Sequence, residues 1–210
     1  MNGTLTDLLT ESRQLGFLGP GPIVDHISHA AAFAAAVAKI PARALDLGAG
    51  GGLPGLVLAA TVWPHTTWSF LDAQTRRTEF LAHACGVLGL TERVQVVTAR
   101  AENYGRIDGE RGTYDLVVAR SFAAPGVTAE CAAPLLRPEG HLVVSEPPGS
   151  DVEGRWPAAG LAMLGFDPAE AVVVEGEDGD PTHLMRVRLV ATPPDRYARR
   201  VGVPAKRPLF

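Results

Sequence analysis

The chain predicts an α/β protein: a mostly parallel, seven-stranded sheet with helices on both faces, closed by a C-terminal antiparallel hairpin. Three observations predict it. Short Val- and Leu-rich runs alternate with helix-length segments along most of the 210 residues, as strands do when helices cover both faces of their sheet. A Gly-rich turn follows the first such run. The last two runs are joined only by EGEDGDP, too short for a crossover helix, so they must turn back on each other.

In chain order, residues 5–16 hold a short helix. Residues 22–39, PIVDHISHAAAFAAAVAK, open with Pro and are dense in Ala, which predicts a helix over 23–39. Strands follow at 43–48, 67–72, 94–99, 114–120, 141–146, 171–175 and 182–190, with helices at 53–61, 75–88, 126–136 and 154–164. The four acids of EGEDGD lack the spacing of a calcium-binding loop and read as a solvated turn.

Composition narrows the class. Apolar residues make up 46% and charged residues 20%, as in a globular chain of one core. The organisation expected is a helical segment over 1–40, a binding domain over 41–195 and a basic tail over 196–210 packed on it. A net charge of −4 argues against a broadly cationic nucleic-acid binder, so an anionic partner must meet a local patch. Cys85 and Cys131 stand far apart with no CxxC or Cys/His cluster, and read as core residues with no metal site. No apolar run is long enough to span a bilayer, and MNGTLTDLLTESRQ lacks the layout of a secretion signal. A cytoplasmic protein is expected.

The chemistry concentrates in LDLGAGGGLPG. Gly48, Gly50, Gly51 and Gly52 fall where strand passes into helix, at the carboxyl edge of the sheet where open α/β folds bind ligands. Glycine there admits positive φ and close approach of a ligand. A dinucleotide is one candidate, since GxG alone is a weak signal. Three features favour S-adenosylmethionine: Asp46 ahead of the glycines, Asp72 ending the second strand, and Ala101, Glu102 and Asn103 after the third. Asp72 would accept both ribose hydroxyls, and the turn at Ala101 and Glu102 would meet the adenine edge.

LDLGAGGGLPGLVLA, FLDAQTRRTEFL, TARAENY, YDLVVARSFAAP and RYARRVGVPAKRPL together resemble the RsmG (GidB) family, from about residue 23 to the C-terminus. The resemblance implies a Rossmann-like class I methyltransferase acting on N7 of a guanine in 16S ribosomal RNA, with S-adenosylmethionine as cofactor. It implies that Gly48 and Leu53 line the methionine and ribose region, that Ala101 and Glu102 hold the adenine and that Arg120 faces cofactor and substrate; Gly50, Gly52 and Asp72 join these as cofactor-binding candidates from the reading of the turn itself. Arg76 sits where the family has a Lys or Arg, its plainer reading being a solvent-facing cation. Two departures stand out: the family's longer N-terminal stretch is absent, and SEPPG replaces a Lys-Gly, placing Glu146 beside the expected acceptor site.

Guanine N7 carries a free lone pair, so methyl transfer needs no base and rests on positioning and electrostatics. The catalytic candidates are Arg120, to orient the cofactor or the acceptor nucleotide, and Glu146, to accept from guanine N1 and N2 and balance the cationic product. Their plainer readings are a salt bridge at a strand end and a solvated carboxylate before two prolines. Arg196, Arg199, Arg200, Lys206 and Arg207 in the tail are candidates to meet phosphates of ribosomal RNA or the small subunit, or else a basic end wrapped on an acidic domain. Other classes remain open: a methyltransferase of a small molecule or protein, which predicts a closed apolar acceptor cavity, and a non-catalytic cofactor binder.

Overall fold

The computed structural model describes residues 4–176 and 180–210. The turn expected at EGEDGD lies partly outside them, at residues 177–179. Seven strands form one sheet in the order β3-β2-β1-β4-β5-β7-β6: β1 Arg43–Leu47, β2 Thr67–Asp72, β3 Val94–Thr98, β4 Tyr114–Ala119, β5 Leu136–Ser145, β6 Glu170–Val174 and β7 Thr182–Arg188. The first five pair parallel. β7 inserts antiparallel between β5 and β6, as the short connection requires.

Alternation along the strands builds a core on each face. Leu45 and Val117 point into one, while Ala44, Leu116 and Val118 point into the other with Trp68 and Phe70. The first core packs under α5 (Ala101–Tyr104), α6 (Pro125–Ala132), α8 (Ala158–Ala162) and the tail; the second packs under α4 (Thr75–Val87) and the segments around residues 33–36 and 58–62. Cys85 and Cys131 are buried and free, as expected. Among the described residues no helix is long and apolar enough to cross a membrane.

The helices depart from expectation for local reasons. α1 (Leu5–Gln14) is held by a Thr4 capping box. α2 (Ile23–Ala32) stops short of residue 39 and tightens into a 3-10 turn at Phe33–Ala36, whose last carbonyl takes a bond from Arg186 Nη1 at 3.2 Å. The segment 53–61 gives only α3 (Gly55–Val57) before widening into a π-helical turn at Leu58–Val62, where Thr61 bonds back to the Val57 carbonyl. α6 ends at Ala132, ahead of Pro134, and β5 begins earlier than residue 141, running through an irregularity with Glu139 at φ 70°. The segment 154–164 splits at Pro157 into α7 (Val152–Arg155) and α8. A final turn, α9 (Val203–Lys206), lies in the tail.

Strand order reverses between β1 and β4, which opens a crevice at their carboxyl ends. Asp46 lies beside Val118 in the β1–β4 register, so two residues further on Gly48 and Arg120 leave the sheet side by side.

Candidate active site

The glycine turn has the left-handed geometry expected of it, with φ of 72° at Gly48, 53° at Gly50 and 99° at Gly52. What lies opposite each missing Cβ differs. A Cβ on Gly48 would come 2.5 Å from the Phe122 ring, and one on Gly51 would come 2.5 Å from Ser12 Oγ and 2.8 Å from the Phe17 carbonyl. One on Gly52 would strike Leu56, whereas one on Gly50 would meet nothing closer than 3.5 Å. Gly51 and Gly52 therefore make room for the protein itself: Ser12 donates to the Gly51 carbonyl at 2.9 Å and docks α1 on the turn.

The cleft beside the turn has a volume of about 180 Å³ and is bordered by Phe17 to Gly19, Gly48 to Gly51, Leu53, Arg77, Arg120 and Ser121. Small-molecule sites usually offer about 300 to 1,000 Å³, so this cleft by itself encloses only part of a nucleoside-sized ligand. Gly52 does not border the cleft, and neither do Ala101 or Glu102, which sit past the end of β3. The Glu102 carboxylate instead accepts from the Gly202 amide at 2.9 Å, tying the tail to this corner.

Asp72, almost fully buried, braces the turn: its two oxygens accept from the Gly50 and Gln74 amides at 2.9 and 2.8 Å, and Arg77 Nη1 lies 3.6 Å away. Asp46 caps the next element, Oδ2 accepting from the Gly55 amide at 2.7 Å while Oδ1 has no partner among the described residues. Burial raises its pKa to about 7, the Gly55 bond working against that shift and the nearby Asp72 adding to it. Arg76, the cation expected from the sequence, lies over the Phe17 ring at 5.7 Å; it is Arg77 that reaches the cleft.

Arg120 stands in the wall between this cleft and a second cavity of about 570 Å³. Its Nη2 lies 3.3 Å from His26 Nδ1, and its buried Nη1 has no partner among the described residues. Burial lowers its pKa and Asp46 opposes the shift. His29 is pushed down to about 4 by burial, then by the charges of Arg120 and His26, so it is neutral at pH 7. Ser121 follows at φ 55°, a conformation costing a non-glycine residue about 1 to 2 kcal/mol, and the chain there turns Phe122 onto Gly48.

Asp25, Glu146, Arg155 and Trp156 also line the larger cavity. Glu146 is not the solvated carboxylate that the two prolines suggested. It is 5% exposed, takes Arg155 Nε at 2.7 Å on one oxygen, and takes Trp156 Nε1 at 2.9 Å and Arg155 Nη2 at 3.4 Å on the other. These engagements displace it from the role of reading guanine N1 and N2. In the tail, Arg199 clasps the fully buried Glu130, while Arg196, Arg200, Lys206 and Arg207 are exposed.

The model of the rRNA small subunit methyltransferase G family, GidB, matches residues 16–150. The chain belongs to this family. It is 36% identical over 173 residues to the ribosomal RNA small subunit methyltransferase G of Prochlorococcus marinus strain MIT 9303, covering 82% of this chain and 70% of that one. The matched span of the family holds the glycine turn, Arg120 and Glu146 but not Arg155 or Trp156. The fold is shared more widely. A SAM-dependent O-methyltransferase from Thermotoga maritima superimposes with a TM-score of 0.61 at 16% identity, covering 88% of this chain and 71% of that one. The O-methyltransferase TomG from Streptomyces achromogenes, solved in complex with SAM, gives 0.58 at 17%, covering 90% and 92%. By family the protein is an rRNA small subunit methyltransferase, and it shares its fold with methyltransferases that use S-adenosylmethionine.

The residues present suit that cofactor. Arg120, which borders the cleft and has a guanidinium nitrogen without a partner among the described residues, suits a carboxylate such as that of the cofactor's amino-acid end, and a Cβ on Gly50 would meet nothing closer than 3.5 Å. Sequence reasoning missed Ser12, Arg77, Arg155 and Trp156 as site residues, which reach the site only through tertiary packing.

Proposed function

We propose that the protein transfers a methyl group to N7 of a guanine in 16S ribosomal RNA. The observation that carries this reading, alongside family membership, is the shared wall: one half-buried Arg120 borders both the glycine cleft and a cavity of nucleotide size that several charged side chains line. S-adenosylmethionine supplies an electrophilic methyl group when bound. Arg120 would hold the cofactor's carboxylate. Gly48, Gly50 and Leu53 would give the methionine and ribose a close backbone wall, Asp72 would keep that wall in place and offer its remaining lone pairs to the ribose, and the adenine would lie beyond the cleft, toward Ala101 and Glu102 past the end of β3.

In the larger cavity the acceptor base needs no deprotonation, because the N7 lone pair is already free. His29, neutral at pH 7, adds no positive charge to repel the methylated product. Arg120 is fixed behind His26 and so does not have to sit on N7, where its donors would block the nucleophile. The exposed cations Arg196, Arg200, Lys206 and Arg207 offer phosphate contacts. A metabolite acceptor would call for a closed apolar cavity, and this one is lined by two acids, two arginines and two histidines.

Small ribosomal subunits purified from cells lacking the activity, incubated with labelled cofactor, should acquire one 7-methylguanosine, read by nuclease digestion and mass spectrometry. No transfer to subunits or naked 16S RNA would sink the proposal.

A further inference from the structure

The acceptor cavity holds a contradiction if it is to take RNA: two of its lining residues, Asp25 and Glu146, are acids. The Arg155 pair resolves half of it. Arg155 docks its Nε edge on Glu146 and is 42% exposed at the cavity wall, and among the described residues its Nη1 makes no hydrogen bond. Trp156, buried beside it, fixes the other Glu146 oxygen at 2.9 Å. The guanidinium is thus held in one orientation before any ligand arrives. A free surface arginine would lose about 0.5 to 1.5 kcal/mol of rotamer freedom on being immobilised, and here folding has already done so.

From this geometry we propose that Arg155, held by Glu146 and Trp156, receives an RNA backbone phosphate at the mouth of the acceptor cavity. Glu146 is then a positioning residue that acts through Arg155. The inference rests on the RNA reading above. A planar guanidinium with one edge anchored presents its remaining donors to phosphate oxygens in a fixed fork. The guanine edge is the poorer partner, because a guanidinium there would compete for the N7 lone pair that must stay free.

The test uses the full chain with a 16S RNA transcript, comparing wild type with Arg155→Ala, Arg155→Lys and Glu146→Gln. RNA affinity is measured across salt concentrations, methylation gives KM and kcat, and adenosylhomocysteine affinity and melting temperature report on the fold. Arg155→Ala should lower the salt slope by about 0.7 to 0.9 and raise KM about tenfold or more, with a smaller effect on kcat. Arg155→Lys should restore the slope but not the full affinity. Glu146→Gln should keep the slope and raise KM.

An Arg155→Ala protein with the wild-type slope and KM overturns the phosphate contact, and a Glu146→Gln protein with the wild-type KM overturns the positioning role. Wild type that binds RNA but forms no 7-methylguanosine removes the functional reading, while the slope difference still decides this proposal. Wild type that binds no RNA overturns both.

Discussion

Arg199→Ala separates architecture from RNA binding in the basic tail. Glu130 has no exposed side-chain surface and accepts from the Arg199 amide at 2.9 Å, from Nε at 2.8 Å and from Nη2 at 2.6 Å. The substitution deletes the two guanidinium bonds to Glu130 and the Nη2 bond to the Arg207 carbonyl, and leaves a buried carboxylate without its countercharge, which typically costs about 3 to 5 kcal/mol. Because the amide bond survives, the lower end applies, about 3 kcal/mol. For a domain of this size that lowers the melting temperature by about 6 to 12 °C. Calorimetry should show this fall for Arg199→Ala and almost none for Arg200→Ala, whose side chain is exposed. RNA titrations on the folded proteins should show the reverse, the salt slope falling only for Arg200→Ala. Replacing Glu130 and Arg199 together by Met should recover much of the lost stability, since no lone charge is left. An Arg199→Ala protein that melts like wild type and loses a salt-dependent RNA contact would refute the reasoning.

Gly51→Ala forces a Cβ against Ser12 and the Phe17 carbonyl, and should cost about 1 to 3 kcal/mol by urea denaturation; an unchanged midpoint would mean that α1 does not dock on the turn. Gly50→Val should leave the chain folded, at a backbone cost of about 1 to 2 kcal/mol for φ 53°, while calorimetry detects no S-adenosylmethionine binding; retained affinity would remove the glycine cleft as the cofactor site. His29 takes a proton near pH 4 when folded and near 6.5 when unfolded. Between those values the unfolded chain binds more protons, so the stability His29 contributes is present above about pH 6.5 and is lost as pH falls toward 4. His29→Gln should flatten that part of the stability profile, measured as urea midpoints at several pH values, and an unaltered slope would show the histidine to be solvated.

Much of the architecture was legible because strands buried on both faces leave uninterrupted Val and Leu runs, and because EGEDGDP is too short to cross over. Helix ends were less so: α2 and α6 stop where the core needs Phe33 and where Pro134 intervenes, and neither event has a periodic signature. At the site, the left-handed glycines were readable from their density, but not what each missing Cβ faces. Gly51 and Gly52 looked like room for a ligand and are room for Ser12 and Leu56. The tail's charge was visible, yet the partner that neutralises Arg199 lies 69 residues away. Arg155 had the one faint local signal, a cation and an indole N–H arriving nine and ten residues after a carboxylate set beside two prolines.

The central sheet alone does not make the site. Solved methyltransferases share it at 16 to 17% identity, so its geometry carries little information about the acceptor. Three of its contacts come from segments outside the span that the family's model matches. α1 presses Ser12 onto the glycine turn, the tail ties Gly202 to Glu102, and α7 brings Arg155 to Glu146. Each of these contacts ends on a residue within residues 16–150, at the turn, at the corner past β3 and at the cavity wall. A change in any of the three segments therefore alters the turn, the corner or the cavity wall while leaving the sheet intact.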